Sequence, residues 1–172
     1  MKKIVLVLLC AFCLLAAAPV CAKADDIADA TKVIKAYYDT GISGDIDGSM
    51  KYMSKANQAQ FEAEKAEISK HEGLMEFSIL LAKQSSYEIE SVELQGEEIH
   101  ARVIMRSPNP ESILNKASEG IDFTNDAEYE RFFKHALDIA KIELESKTME
   151  MVDKSYATIL IKEDGQWKID KE

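Results

Sequence analysis

Residues 86–106 read SYEIESVELQGEEIHARVIMR, and the period of this stretch decides the fold. From Ile99 onward the apolar residues alternate strictly, with Ile99, Ala101, Val103 and Met105 set against Glu98, His100, Arg102 and Arg106. A period of two with one polar set marks a strand with one wet face. Upstream, Tyr87 and Ile89 point one way, while Val92 and Leu94 fall out of phase with them, which predicts a bulge near Ser91. Gln95-Gly96-Glu97 supplies the turn, so the stretch is an antiparallel hairpin. Ser107-Pro108-Asn109-Pro110 ends it, because proline cannot join a ladder from an interior position.

The chain before the hairpin has helical periods. Ile27, Ala30, Ile34 and Tyr37 or Tyr38 recur at intervals of three and four, with Asp25 or Asp26 placed to cap the helix and Gly41 to end it. Asp45 or Asp47 can cap a short second helix carrying Met50 and Met53. Residues 55 to 71 form a polar helix with a thin apolar stripe at Phe61 and Ile68. After Gly73, Leu74, Phe77 and Leu81 mark another helix. Beyond the hairpin, residues 107 to 147 read as a helical insertion. Its main helix starts at Asn125 or Asp126 and carries Tyr129, Phe133, Ala136, Ala140 and Leu144 on one face, broadened by Phe132 and Ile139. The stretch 147–162 is a strand with apolar residues on both faces, Ala157, Ile159 and Ile161 against Tyr156 and Leu160. A turn with Gly165 at a positive dihedral returns Trp167 and Ile169 to the core.

The first 24 of the 172 residues read as a secretory signal: Lys2 and Lys3, an uncharged apolar run from Ile4 to Ala22, and the small-x-small site Ala22-Lys23-Ala24. Cleavage after Ala24 leaves 148 residues, 25–172, as one domain. It removes three of the 21 basic residues, so 18 remain against 31 acidic ones and the formal charge moves from −10 to −13. A chain this acidic is repelled by phosphate backbones and anionic lipid, which argues against nucleic-acid binding. Cys10, Cys13 and Cys21 all lie in the segment removed, so the mature domain relies on its apolar core rather than a disulfide. Two alternatives compete with cleaved export, periplasmic or secreted: lipidation at Cys21, where Ala18 and Val20 depart from the usual pattern, and an uncleaved membrane anchor.

Two strings resemble the nuclear transport factor 2-like superfamily, and in particular its small exported bacterial members of unknown function. One is Val33-Ile34-Lys35-Ala36-Tyr37-Tyr38 followed by Gly44-Asp45-Ile46-Asp47. The other is the ending Ile161-Lys162-Glu163-Asp164-Gly165-Gln166-Trp167-Lys168-Ile169-Asp170. The resemblance covers about half of the mature chain and implies a cystatin-like cone. The expected class is therefore α+β: N-terminal helices packed on a curved antiparallel sheet of about four strands, with a helical insertion between strands two and three. Enzymes of the superfamily, such as ketosteroid isomerases and polyketide cyclases, use a cavity between helix and sheet, with a carboxylate base and a phenol or protonated acid at the developing oxyanion. Tyr37, eight residues before Asp45, matches the position of the isomerases' phenol. The base has no counterpart: Ala56-Asn57-Gln58-Ala59-Gln60-Phe61 offers amides and alanines before Glu62 and Glu64.

Other chemistry is absent from the pattern. His71, His100 and His135 share no metal-ligand spacing, Asp45-Ile46-Asp47-Gly48-Ser49 lacks the later ligands of a calcium loop, and no phosphate loop or nucleophile elbow occurs. No metal and no cofactor is expected. The leading expectation is an exported, non-catalytic binding or interaction module. Its cone would hold a small apolar ligand among cavity-lining residues such as Tyr37, Phe77 and Trp167, or it would dimerise through a sheet face bearing Ile104, Tyr156 and Leu160. The alternative is an isomerase or cyclase with Tyr37 as hydrogen-bond donor.

Overall fold

The computed structural model describes residues 23–71, 73–121 and 126–172. The expected signal segment up to Ala22, its three cysteines and a cap at Asn125 lie outside the described residues. The order is α1 (23–42), α2 (Ile46–Met50), α3 (Lys55–Ile68), α4 (Leu74–Lys83), β1 (Ser86–Gln95), β2 (Glu98–Pro108), α5 (Pro110–Ala117), α6 (Asp126–Ser146), β3 (Met151–Glu163) and β4 (Gln166–Lys171). The four strands form one antiparallel sheet in the order β1-β2-β3-β4. The class is α+β, with helices leading into an open, curved sheet and the helical insertion between the second and third strands.

The stripe Ala30, Ile34 and Tyr38 of α1 packs on one face of the sheet, against Ile99, Ala101 and Val103 of β2, Leu160 of β3, and Trp167 and Ile169 of β4. Tyr87, Ile89, Val92 and Leu94 of β1 complete this core. The register shift in β1 falls between Ile89 and Ser91, as the phase change predicts, so Glu90 is the extra residue and both apolar pairs reach the same face. A second core lies within the insertion and α4: Phe77, Ile113, Ala117, Ala136, Leu137 and Ala140 are buried together. Lys116 reaches across to the mostly buried Glu143, joining α5 to α6 by an ion pair.

The structure corrects several local expectations. Lys23 and Ala24 are already helical, so neither Asp25 nor Asp26 caps α1. The helix runs through Gly41 to residue 42, and Gly44 takes the left-handed conformation (φ +84°) instead. Gly44 is also a close contact: a Cβ there would lie 2.9 Å from both Ile79 Cγ2 and Lys83 Cε of α4. Asp45, rather than Asp47, caps α2, accepting from Gly48 N at 2.9 Å.

The sheet faces also correct the expected dimer patch. Tyr156 pairs with Val103 and Leu160 with Ile99, and directly opposed residues share a face, so both lie on the side that α1 covers; Leu160 is fully buried. Ile104, which opposes Glu88 and Ser155, lies on the other side. The three residues therefore line no common surface, because a one-residue difference in strand parity exchanges the faces.

The segment 52–54 adds a short parallel bridge to the outer edge of β4. Ile169 N donates to Tyr52 O at 2.8 Å and Ser54 N donates to Ile169 O at 2.7 Å. Within the sheet, β4 slips by one residue: Leu160 opposes Ile169, but Ile159 opposes Lys171. Asp170 is the extra residue, and its carboxylate accepts from Ser54 Oγ at 2.8 Å, which pins the irregularity.

Candidate functional site

The C-terminal end of α1 opens onto a cleft of about 220 Å³. Ile42 of α1, Ile46 of α2, Phe61 of α3, Ala82 of α4 and Met105 of β2 give it an apolar wall. Tyr37, Tyr38 and Glu172 meet at one end of it. Larger depressions elsewhere are lined with charged residues. One is lined by Glu119, Glu130, Arg131, Lys134, His135 and Asp138, and two others flank Trp167 among charged residues. An apolar wall with a few converging polar groups is the usual form of a ligand site, so the smaller cleft is the candidate.

The polar end has one consistent proton arrangement. Tyr37 Oη donates to Glu172 Oε2 at 2.9 Å, and Tyr38 Oη donates to Glu172 Oε1 at 2.5 Å. A phenol has one proton and a carboxylate accepts only, so Thr158 Oγ1, 2.9 Å from Tyr38 Oη, is the donor in that contact. Thr158 is fully buried and Tyr38 nearly so. Burial, and then the neighbouring Glu172 charge, push both phenols far above the ordinary tyrosine range.

Around this pair the aromatic packing is dense. Tyr37 meets Tyr38 edge-on at 5.1 Å, and Tyr87 stacks on Tyr38 at 5.2 Å. Tyr87 Oη in turn donates to Asp39 Oδ1 at 2.7 Å, and Lys35 closes the chain with an ion pair to Asp39 at 2.8 Å. The Lys35 hydrogen bond, aided by Tyr87, holds the Asp39 carboxyl below its usual range.

Of the three expected cavity residues, only Tyr37 lines this cleft. Phe77 is buried in the second core, because the apolar face of α4 meets α6. Trp167 sits at the far end of the sheet core, donating from Nε1 to Asp26 Oδ1 at 3.3 Å beneath the Lys162 ammonium. Tyr38, Thr158 and Glu172 were not singled out by sequence reasoning. A carboxylate does stand beside the Tyr37 phenol, but it comes from Glu172, the residue after β4, rather than from 56–61. The slip at Asp170 is the reason. Simple alternation from Trp167 and Ile169 would place Lys171 inward, whereas the register puts Lys171 opposite outward-facing Ile159 and leaves the next residue to turn toward α1.

The histidines stand apart from one another. His100 contacts Glu98 at 3.1 Å, His71 packs near Tyr129 and Phe133, and His135 lines the polar depression on the helical insertion. Among the described residues, no group of three His, Cys, Asp or Glu side chains could hold a metal ion, and no helix is long and apolar enough to cross a membrane.

No family model and no curated protein sequence matches the chain. Among solved structures it is similar to Rv3472, a protein of unknown function from Mycobacterium tuberculosis. That likeness has 13% identity and a TM-score of 0.45, covering 88% of this chain and 71% of the other.

Proposed function

We propose that this chain is an exported binding module of nuclear transport factor 2-like type that holds a small, largely apolar ligand in the cleft at the end of α1. The supporting observation is the cleft itself: an apolar wall from five elements, closed at one end by Tyr37, Tyr38 and Glu172. Its volume lies below the roughly 300–1,000 Å³ of sites for drug-sized molecules, so the ligand is small. Export rests on the sequence pattern of residues 1–24, and cleavage after Ala24 would leave the contacts of Asp26 with Lys162 and Trp167 intact. The mass of the chain recovered outside the cytoplasm tests that step; a full-length product would exclude it.

The binding reading is tested by NMR titration with n-hexanol. Shifts are expected at Ile42, Ile46, Phe61, Ala82 and Met105, and Ala82→Trp, which fills the cleft, should abolish them. A titration that leaves these residues unmoved removes the reading.

A second reading, an isomerase-type enzyme, gains support from the carboxylate 2.9 Å from Tyr37 Oη. Glu172 would serve as base and Tyr37 as donor to the oxyanion. The binding reading is preferred because the protons of both phenols point at Glu172 rather than into the cleft. Turnover of a β,γ-unsaturated ketone, lost in Glu172→Gln, would reverse that preference. Homodimerisation through the sheet belongs on the face of Ile104, Ile159 and Ile161 in place of the patch first expected, and light scattering at high concentration checks it.

A further inference from the structure

The hydrogen-bond inventory of the cleft is one-sided, and this bears on what it binds. Four lining side chains carry a hydroxyl proton, and each proton is already placed. Ser49 Oγ donates to Ile46 O at 2.7 Å and Ser85 Oγ to Leu81 O at 2.9 Å, while the two phenols donate to Glu172. Among the described residues, no lysine, arginine or histidine lines the cleft. What remains is acceptor capacity. A carboxylate offers about four lone-pair sites, and each oxygen of Glu172 takes one bond from a neutral phenol. A ligand carbonyl or carboxylate entering here would find no free side-chain donor among the described residues and would face a negative charge.

Resting on the cleft-binding reading above, we infer that the ligand is a small organic cation: a primary or substituted ammonium on a short apolar body, its N–H groups directed at Glu172 and the body against Phe61 and Met105. Two other features agree. Aromatic rings line the cleft at Tyr37 and Phe61, and aromatic rings attract ammonium groups. The formal charge of −10 draws cations toward the chain from a distance. Glu172 is exposed enough at the mouth to meet an incoming head group, while the apolar wall lies behind it.

The experiment titrates the whole protein with n-hexylammonium, n-hexanol and n-hexanoate at low ionic strength, with affinities from calorimetry and sites from amide shifts. Hexylammonium should bind at least tenfold more tightly than hexanol, with hexanoate the weakest. Glu172→Gln should remove that tenfold advantage, bringing the amine and the alcohol to within about twofold of each other. Phe61→Ala should weaken both the amine and the alcohol. Hexanoate binding as tightly as the amine, or an amine affinity unmoved in Glu172→Gln, overturns the inference while leaving an apolar-ligand site standing. Amine shifts scattered over acidic surface residues instead of the cleft also overturn it. Failure of all three compounds to shift the cleft residues removes the cleft-binding reading, and the inference with it.

Discussion

The two ends of α1 are fastened by opposite chemistry, the first to β3 and β4 and the second to β3 and the residue that follows β4. At the start, Asp26 accepts from Lys162 Nζ at 2.5 Å and from Trp167 Nε1, while the Lys162 ammonium lies 4.8 Å from the centre of the indole ring. This is an ion pair laid over a buried ring. At the other end, Tyr38 is held between Thr158 and Glu172 by neutral donors inside the protein. The first fastening relies on ionised groups in contact with water, the second on keeping phenols protonated. The second adjoins the candidate cleft, whose lining includes no cation among the described residues, whereas the first already holds the Lys162 ammonium.

This contrast can be broken at either end. The largest effect is expected from Trp167→Ala, which removes the ring beneath Lys162 and empties part of the sheet core. Denaturant unfolding should register a loss of about 3–5 kcal/mol. A loss below about 1 kcal/mol would mean the ring contributes little. Tyr38→Phe comes next, at about 1–3 kcal/mol, because it strands the fully buried Thr158 hydroxyl. Thr158→Val on that background should recover part of the loss, whereas additive costs in this double-mutant cycle would deny the coupling.

The pH dependence sharpens the comparison further. Tyr37 and Tyr38 titrate above their unfolded value of 10.0, so the folded state keeps protons that the unfolded chain releases. The stability they contribute is present below pH 10 and declines as pH rises beyond it. Urea midpoints measured from pH 9 to 11 should fall in the wild type and fall less steeply in Tyr37→Phe/Tyr38→Phe. Asp26 behaves in the reverse sense. Its pKa is held below 3.8, chiefly by the Lys162 hydrogen bond, so its contribution is present above that value and is lost as pH falls through the depressed folded pKa. Asp26→Asn should flatten the acid limb slightly, leave the alkaline limb untouched, and have the smallest effect of the set, since an exposed pair is well screened. An alkaline change of equal size in this variant would contradict the separation of the two ends.

Much of the fold was legible because it follows from period alone. Ala30, Ile34 and Tyr38 had to share a face, the alternation from Ile99 to Met105 had to be half-buried, and the phase change at Ser91 had to be absorbed by an extra residue. What period cannot say is which partner covers a face. Phe77 lies on a clear apolar stripe, yet α4 turns that stripe to α6 rather than to the sheet. Tyr156 and Leu160 were correctly set apart from Ala157 and Ile159, but which set faced α1 depended on the pairing with β2. The candidate site was half legible. Tyr37 could be found from the resemblance, whereas Glu172 is brought to it by a slip that Ser54, more than a hundred residues earlier in the chain, holds in place.

At Gly44 a hydrogen stands where any other residue would carry a Cβ. The turn there rests against Ile79 and Lys83, on the same helix that carries Ala82 and Ser85 to the cleft. A methyl group at residue 44 would meet both side chains at 2.9 Å from a left-handed backbone, so only glycine lets this turn lie flat against them.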